Sequence, residues 1–596
     1  MKKKLAILSA ILIAMSALSS CGDAGNSSLP SSEATNEGST SSEASDSGSK
    51  EGEYTQLEYV YTLGIISEDD LQEFYDSPVY AELKEKTGVE LSVRGADKDQ
   101  AAIYFASGDL GDITTIPTQA DILPVVESES ILPLNDLVEQ YGPNVTANRP
   151  ERWEMAQNQL SVDDSGTAYV LPIRAGSEGH NYYPGHNLFY IRWDLYADMG
   201  YPEVKNESDF LNVLAEMYKN NPTTAEGLPT YAVGFYSTTS DLTGFYRRWV
   251  HTYGYRDLGV TGILFDVDDN GKMVNIFTDP IETFISSDEP MFFAAAKYYN
   301  QAYRMGLLDP DSFTQQAADY TGKCTNGQYL SGWWRSQADT YVNTVLQEDP
   351  DSELGFEVIP IEGMTLWTDS VQAAGWENYY LAIPSSAKDP VKSMQFIDYM
   401  FSQEGNRLVF SGIEGEHWNV VDGEASWTDE VIEAKNNGGD EWASLGIYYG
   451  PALYLLGSGN NEPYEKDGSP LDLSKGDDYL SKCLKPVDEV YCEKYGVDYP
   501  LEVFLNMKEE GKANTHESLD MRIISAMGSA PDDITLLNSS ILKTAAEAIP
   551  ALVMAETDEE FAAQKEALMS SLESIGIQSV IDWYAQRHQE VLETFK

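Results

Sequence analysis

Asp266-Val267-Asp268-Asp269-Asn270-Gly271 sets side-chain oxygens at positions 1, 3 and 5 and a Gly at 6, as a calcium loop begins. Position 12 is Phe277, where the ion needs a bidentate Glu. Asn270-Gly271 between two apolar runs is a hairpin signal, so a turn is expected here and no metal site. No His-Glu-x-x-His pair is present. Gly176-Ser177 and Gly457-Ser458-Gly459 place Ser beside Gly without forming a nucleophile elbow, and Thr321-Gly322-Lys323-Cys324 lacks both the spacing and the final hydroxyl of a phosphate cradle. A glycosidase needs only two carboxylates at a set separation, which 97 acidic residues leave open. The sequence therefore reads as a non-enzyme, with a cell-surface glycoside hydrolase as the alternative.

Those 97 Asp and Glu stand against 38 Lys and Arg in 596 residues, a formal charge of −59. A polyphosphate partner would be repelled over most of such a surface, so no nucleic acid is expected. The length calls for more than one core. Cys324, Cys483 and Cys492 are too few to build a disulfide scaffold; a Cys483–Cys492 pair and free thiols stay equally open. Cys21 differs. It follows a basic start, Lys2 to Lys4, an apolar run from Leu5 to Leu18, and Ser19-Ser20, an arrangement that resembles the bacterial lipobox. Its thiol would carry the lipid after cleavage of residues 1–20. Residues 22–53 hold ten Ser and one large aliphatic side chain, Leu29, and are expected to form a disordered tether. Their reach is on the order of 30 Å. The protein is thus expected at the extracellular face of the cytoplasmic membrane, held by lipid alone.

The elements that must position any site read as α/β. Strands are expected at 57–63, 89–93 and 112–116, separated by a helix over 70–86 that Pro78 interrupts and a short helix through 101–105. Strands spaced by helices imply a mainly parallel sheet, whose ligands lie beyond the carboxyl ends of the strands; Ser107-Gly108-Asp109 then becomes a candidate wall. Phe210, Val213, Leu214 and Met217 share one helical face behind Asn206 or Ser208 as cap. Asp389-Pro390 opens another helix, Thr557 to Glu560 fits a capping box, and 577–595 reads as a terminal helix.

Several segments, in order, resemble the extracellular solute-binding protein family 1 of bacterial ABC importers, in its long lipoprotein subgroup. They are Phe105 to Asp112 (FASGDLGD), Leu132 to Leu137 with Tyr141-Gly142-Pro143-Asn144, Asp164 to Pro172, Tyr190 to Leu195 with Met199-Gly200-Tyr201-Pro202, Gly306 to Asp311, Tyr380 to Pro384, Glu404-Gly405 and Gly412 to Gly415. The resemblance implies a two-lobed, periplasmic-binding-protein-like fold of type II with the ligand cleft between the lobes and extra C-terminal helices. Lobe 1 would hold 54–165 plus 373–430, and lobe 2 would hold 166–372 plus 431–596. It also implies a monomer that captures a carbohydrate, usually an oligosaccharide, and delivers it to the transmembrane subunits of an ABC permease, with no cofactor. Some alginate-binding relatives carry a calcium loop after the helix corresponding to 206–220. Here Asn220 to Gly227 supplies one carboxylate, Glu226, so calcium is not carried over.

A sugar ring has an apolar face for an aromatic side chain and polar edges for hydrogen bonds. The family places Trp at a cleft-facing strand and loop, which corresponds here to Gly332-Trp333-Trp334-Arg335. Trp376 lies near an implied crossing between lobes. Trp249 and Tyr253 are four apart on a helix, Tyr182 and Tyr183 follow a strand, Asp109 can accept from hydroxyls, and Trp418 follows the Gly412 to Gly415 segment. Each aromatic can equally be core. Trp333 and Trp334 cannot face one side of an extended strand, so one is expected to turn inward. Arg192 and Asp194 are expected as an interior pair. Arg247, Arg248 and Arg335 can neutralise neighbouring carboxylates, the reading preferred here, or recognise a uronic or sulfated sugar. The same fold binding a peptide or another small solute remains the other alternative.

Overall fold

A computed structural model describes residues 54–594 apart from 149, 163–164, 175–181, 238–241, 258–262, 267–271, 282–288, 369–378, 422, 460–461 and 517–526. Cys21, the tether and Trp376 lie outside the described residues.

The chain opens on β1 (Thr55–Tyr61), with Leu57, Tyr59 and Val60 buried. The helix expected over 70–86 is two helices, α1 (Glu68–Asp76) and α2 (Pro78–Thr87), joined at Ser77. Extended backbone at Ser77 closes α1 through its N–H to Phe74 O, and its Oγ accepts the Tyr80 N–H of α2. Pro78 costs nothing there, because an N–H at the first helical position has no intrahelical partner. Gly88 ends α2 at φ 63, where a Cβ would be strained. β2 (Val89–Gly95), α3 (Lys98–Ser107), β3 (Ile113–Ile116) and β4 (Leu171–Pro172) follow.

From β4 the chain passes to β5 (Tyr182–Pro184), β6 (Asn187–Arg192), α4 (Glu207–Asn220), α5 (Thr243–Thr252), α6 (Met291–Arg304), β7 (Ser331–Trp334), α7 (Arg335–Glu348), β8 (Phe356–Val358) and β9 (Thr365–Thr368). Asn206 caps α4 by accepting the Asp209 N–H. Segments 263–266 and 272–275 pair antiparallel, as a hairpin requires. The chain returns at β10 (Tyr380–Ala382) and α8 (Pro390–Phe401), which Asp389 caps. It ends with β11 (Asn514–His516) and helices α9 (Asp532–Val553), α10 (Asp558–Ile575, capped by Thr557) and α11 (Ile577–Thr594).

One sheet has the order β2-β1-β3-β10-β4, with β2, β1 and β3 parallel and β10 antiparallel to both neighbours. A second has the order β7-β6-β8 and is antiparallel throughout, so alternation of strand and helix fixed the layers there but not the strand directions. A third, β11-β9-β5, joins three remote passes of the chain.

Two main cores result. Leu57, Leu91, Leu171, Leu381, Phe396 and Ile397 belong to the first, and Phe189, Ile191, Phe210, Trp249, Phe292 and Tyr298 to the second. Residues 431–473, expected in the second lobe, pack instead in the first core through Val431, Leu455, Leu456 and Leu471. Apolar spacing shows that a segment must cover something; it does not show which core. The C-terminal helices do pack on the second core through Ile541, Leu552 and Leu572. Asn300 fastens them, donating to the carbonyls of Val553 (2.9 Å) and Ala555 (2.7 Å) at the end of α9, where helical partners run out. Cys324, Cys483 and Cys492 are all free thiols. Among the described residues no helix is long and apolar enough to cross a membrane.

Candidate functional site

Topology identifies one edge of each lobe. Tyr380 at the start of β10 is in register with Ile116 at the end of β3 and with Pro172 at the end of β4. The chain therefore leaves and re-enters the first lobe along the carboxyl edge of its sheet. In the second lobe it enters through β5 at the amino end of β6, and Trp334, ending β7, is in register there with Asn187. These are the edges next to the crossing segments, and the carboxyl edge of an α/β sheet is where ligands bind.

On the first edge stand Tyr61, the last residue of β1, Tyr379, just before β10, and Tyr454. Their rings pack at 5.2 Å (Tyr61–Tyr454) and 5.6 Å (Tyr379–Tyr454), and all three are half-buried. Burial, with Tyr454 beside it, pushes the Tyr61 phenol well above its ordinary range, so its hydroxyl stays neutral and can both donate and accept. Thr62 and Thr115 lock the strand ends beneath, the Thr62 hydroxyl donating to the Thr115 carbonyl at 2.8 Å. None of the three tyrosines was singled out from the sequence. They come from segments about 75 to 390 residues apart along the chain, and the one available signal was that Tyr61 and Tyr379 flank strand ends.

On the second edge β7 bulges between Gly332 and Trp334. Trp333 turns inward, buried against Tyr236, Tyr320 and Tyr329. Trp334 stays 40% exposed, its ring nearly parallel to that of Trp333 (6.1 Å, 20°). The inner indole thus backs the outer one and holds it flat. Arg335 opens α7, its N–H donating to the His186 carbonyl at 2.9 Å, and its side chain is 66% exposed. Tyr183 is half-buried on β5 opposite Trp367 of β9. The Trp367 indole N–H donates to the His251 carbonyl at 3.0 Å, and His251 Nδ1 accepts the Asn187 N–H at 3.3 Å. Gly185 permits this approach, since a Cβ there would lie 2.6 Å from that of His251.

Other candidates sit elsewhere. Asp109 precedes β3 and so lies toward its amino end, not at the carboxyl edge expected. Its carboxylate is taken up by Arg94, bidentate at 2.8 and 2.9 Å, which holds it below the usual carboxylate range. Trp249 and Tyr253 are core: the indole N–H (3.2 Å) and the phenol (2.7 Å) donate to Glu207 Oε1. Trp418 is buried, its N–H on the Gly412 carbonyl at 3.0 Å and the Arg407 guanidinium 4.7 Å from its ring. Trp249 and Trp418 failed as candidates because helix and hairpin patterns present a core aromatic and a site aromatic alike. Arg192 and Asp194 form a buried bidentate pair at 2.8 and 2.7 Å. Arg248 is buried too, but donates to Tyr298 Oη (3.1 Å) and the Gly332 carbonyl (3.4 Å), not to a carboxylate. Among the described residues neither Arg247 nor Arg248 has a carboxylate within 4 Å, and the buried Glu207 lies within electrostatic reach of Arg248. Chemically, the two edges offer ring faces, hydroxyls and a guanidinium: groups that stack and hydrogen-bond. No cluster of metal-ligating side chains occurs among the described residues.

No curated protein matches the chain. Solved structures do. A solute-binding protein from Bifidobacterium longum subsp. infantis aligns over 90% of this chain and 98% of its own at 14% identity, TM-score 0.56. An HMO-binding, ABC-transporter-associated solute-binding protein from Bifidobacterium longum infantis covers the same shares at 14% identity, TM-score 0.52. The S. pneumoniae ABC-transporter substrate-binding protein FusA, in complex with kestose, covers 91% and 99% at 14% identity, TM-score 0.50. Likeness at such identity is likeness of fold: two-lobed, mixed helix and sheet. The family model for bacterial extracellular solute-binding proteins matches residues 67–407, more than half of the sequence. The chain belongs to the bacterial extracellular solute-binding protein family.

Proposed function

We propose that this protein is the substrate-binding lipoprotein of an ABC importer, capturing an oligosaccharide outside the cell and releasing it unaltered to the membrane permease. The observation that carries the reading is that each lobe bears aromatic rings at the edge next to the crossing segments: a tyrosine face in one and a backed, exposed Trp334 in the other. Covering both faces of a sugar with aromatic rings is how such a site gains affinity without chemistry. Tyr61, Tyr379 and Tyr454 are the proposed contacts of the first lobe. Trp334, Arg335 and Tyr183 are those of the second. HMO binding by one structural neighbour and kestose in another support a carbohydrate ligand. Cys21 would carry the lipid, and the tether would keep a monomeric body near the permease.

The test is a glycan array probed with the full mature chain, followed by tryptophan fluorescence titration of any hit. The reading expects at least one saturable glycan ligand that quenches or shifts the fluorescence. Binding of peptides and of no glycan would overturn it.

A further inference from the structure

Basic residues are scarce in this chain, 38 against 97 acidic, yet they gather at the crossing edge of the second lobe. Arg335 is exposed beside Trp334, and its closest carboxylate contact is a loose one, Asp339 at 3.6 Å, which Lys485 shares at the same distance. Glu357 and Asp488 lie within electrostatic reach of it. Burial and the nearby Asp488 push Glu357 toward its neutral form, so the acidic surroundings of Arg335 fall short of their formal charge. Arg247 lies one turn before His251 on α5, on the same face, and its buried Nε finds no hydrogen-bond partner. Arg248 beside it is fully buried, within electrostatic reach of the buried Glu207, and bonds to the carbonyl two residues before Trp334. The chain itself ties these positions together: the His186 carbonyl takes the Arg335 N–H, and the next residue, Asn187, bonds to His251. The first turn of α7 carries no side-chain cap, so the positive end of that helix adds to the same region. Finally, His186, His251 and His516, three of the six histidines, belong to this edge.

The buried Nε of Arg247 has no partner and the exposed guanidinium of Arg335 has only a loose one, so both keep donor capacity that an anionic ligand can take up. Such an edge favours an anion, and the guanidinium fork matches a carboxylate or sulfate in two parallel hydrogen bonds. Resting on the carbohydrate reading above, we propose that the ligand is an acidic glycan, bearing a carboxylate or a sulfate ester, whose anionic group is held by Arg335 and Arg247 while a sugar ring lies on Trp334.

The experiment takes the strongest acidic hit among sialylated, uronate and sulfated glycans of the array, together with its carboxyl-reduced or desulfated counterpart. Both are titrated by calorimetry into the full mature chain, wild type, Arg335→Gln, Arg335→Lys and Arg247→Gln. The acidic glycan is expected to bind at least about tenfold more tightly than its neutral counterpart, the margin of one charge-assisted hydrogen bond. Each Gln variant should weaken the acidic glycan about tenfold more than its neutral counterpart, while Arg335→Lys keeps part of the preference. Equal affinity for the two glycans, or equal loss of both in the Gln variants, would overturn the proposal. Hits confined to neutral glycans would overturn it and leave the carbohydrate reading standing; an array without hits would overturn both. Arg335 is exposed, so its variants carry the test even if Arg247→Gln does not fold.

Discussion

Trp334→Ala separates a binding aromatic from a packing one. A Trp side chain offers about 250 Å², and Trp334 is 40% exposed, which leaves about 100 Å² for a ligand to cover. At about 25 cal/mol per Å² that surface is worth at most about 2.5 kcal/mol, and covering half of it about 1.3 kcal/mol. The variant should therefore weaken glycan binding by about tenfold to seventyfold. Its cost to folding should be small, about 0.5–1.5 kcal/mol for the lost stacking on Trp333. Trp249→Ala makes the contrast: the ring is wholly buried, so about 3–5 kcal/mol of stability should go, with the affinity of the surviving folded fraction unchanged. Calorimetric titration with an array hit and urea denaturation of both variants measure the four quantities. A Trp334→Ala protein that binds within twofold of wild type would refute the argument, since the exposed ring would then be surface and nothing more.

Three further outcomes follow from particular contacts. Burial, the largest influence, holds the Glu207 carboxyl above the ordinary carboxylate range despite the donors Tyr253 and Trp249. Its contribution to stability is complete below the unfolded value of about 4.3 and is lost as pH rises through the folded value. Glu207→Gln, neutral at every pH, should gain on wild type in urea denaturation between about pH 4 and pH 8; a difference flat across that range would contradict this. Asp109→Ala should leave glycan affinity within twofold and cost less than about 1 kcal/mol of stability, because Asp109 serves an exposed ion pair at the edge away from the crossings; a larger loss of affinity would restore it to the site. Asn300→Ala should cost about 1–3 kcal/mol by leaving the Val553 carbonyl buried and unpaired. Hydrogen exchange across 532–594 should speed up before the first lobe is affected, and uniform acceleration would argue against this anchoring role.

Local signals were legible in the sequence, and their partners were not. Asn206, Asp389 and Thr557 mark helix starts because each offers an oxygen to the amide three residues on, a short-range act that spacing alone specifies. The order of strands and helices in the first lobe was readable for the same reason. Which strand end faces the second lobe depends on register between β10 and β3, more than 260 residues apart; Asp109, which leads into β3, lies at the opposite end. The Tyr61–Tyr379–Tyr454 face is assembled by tertiary packing and leaves no periodic trace. Trp249 and Tyr253 had the right chemistry and spacing for a ligand, but the buried Glu207 that opens α4 claims both. The arginines were read as neutralising acids because composition made carboxylates abundant; Arg335 does meet Asp339 at 3.6 Å and Arg248 lies within electrostatic reach of Glu207.

The central claim is capture without conversion. Native mass spectrometry of the full mature chain incubated for hours with its array hit measures it directly. The account predicts one complex whose mass is the sum of protein and intact glycan, with the released glycan unchanged in mass. A shorter saccharide among the released species, or no complex with any glycan, would contradict it.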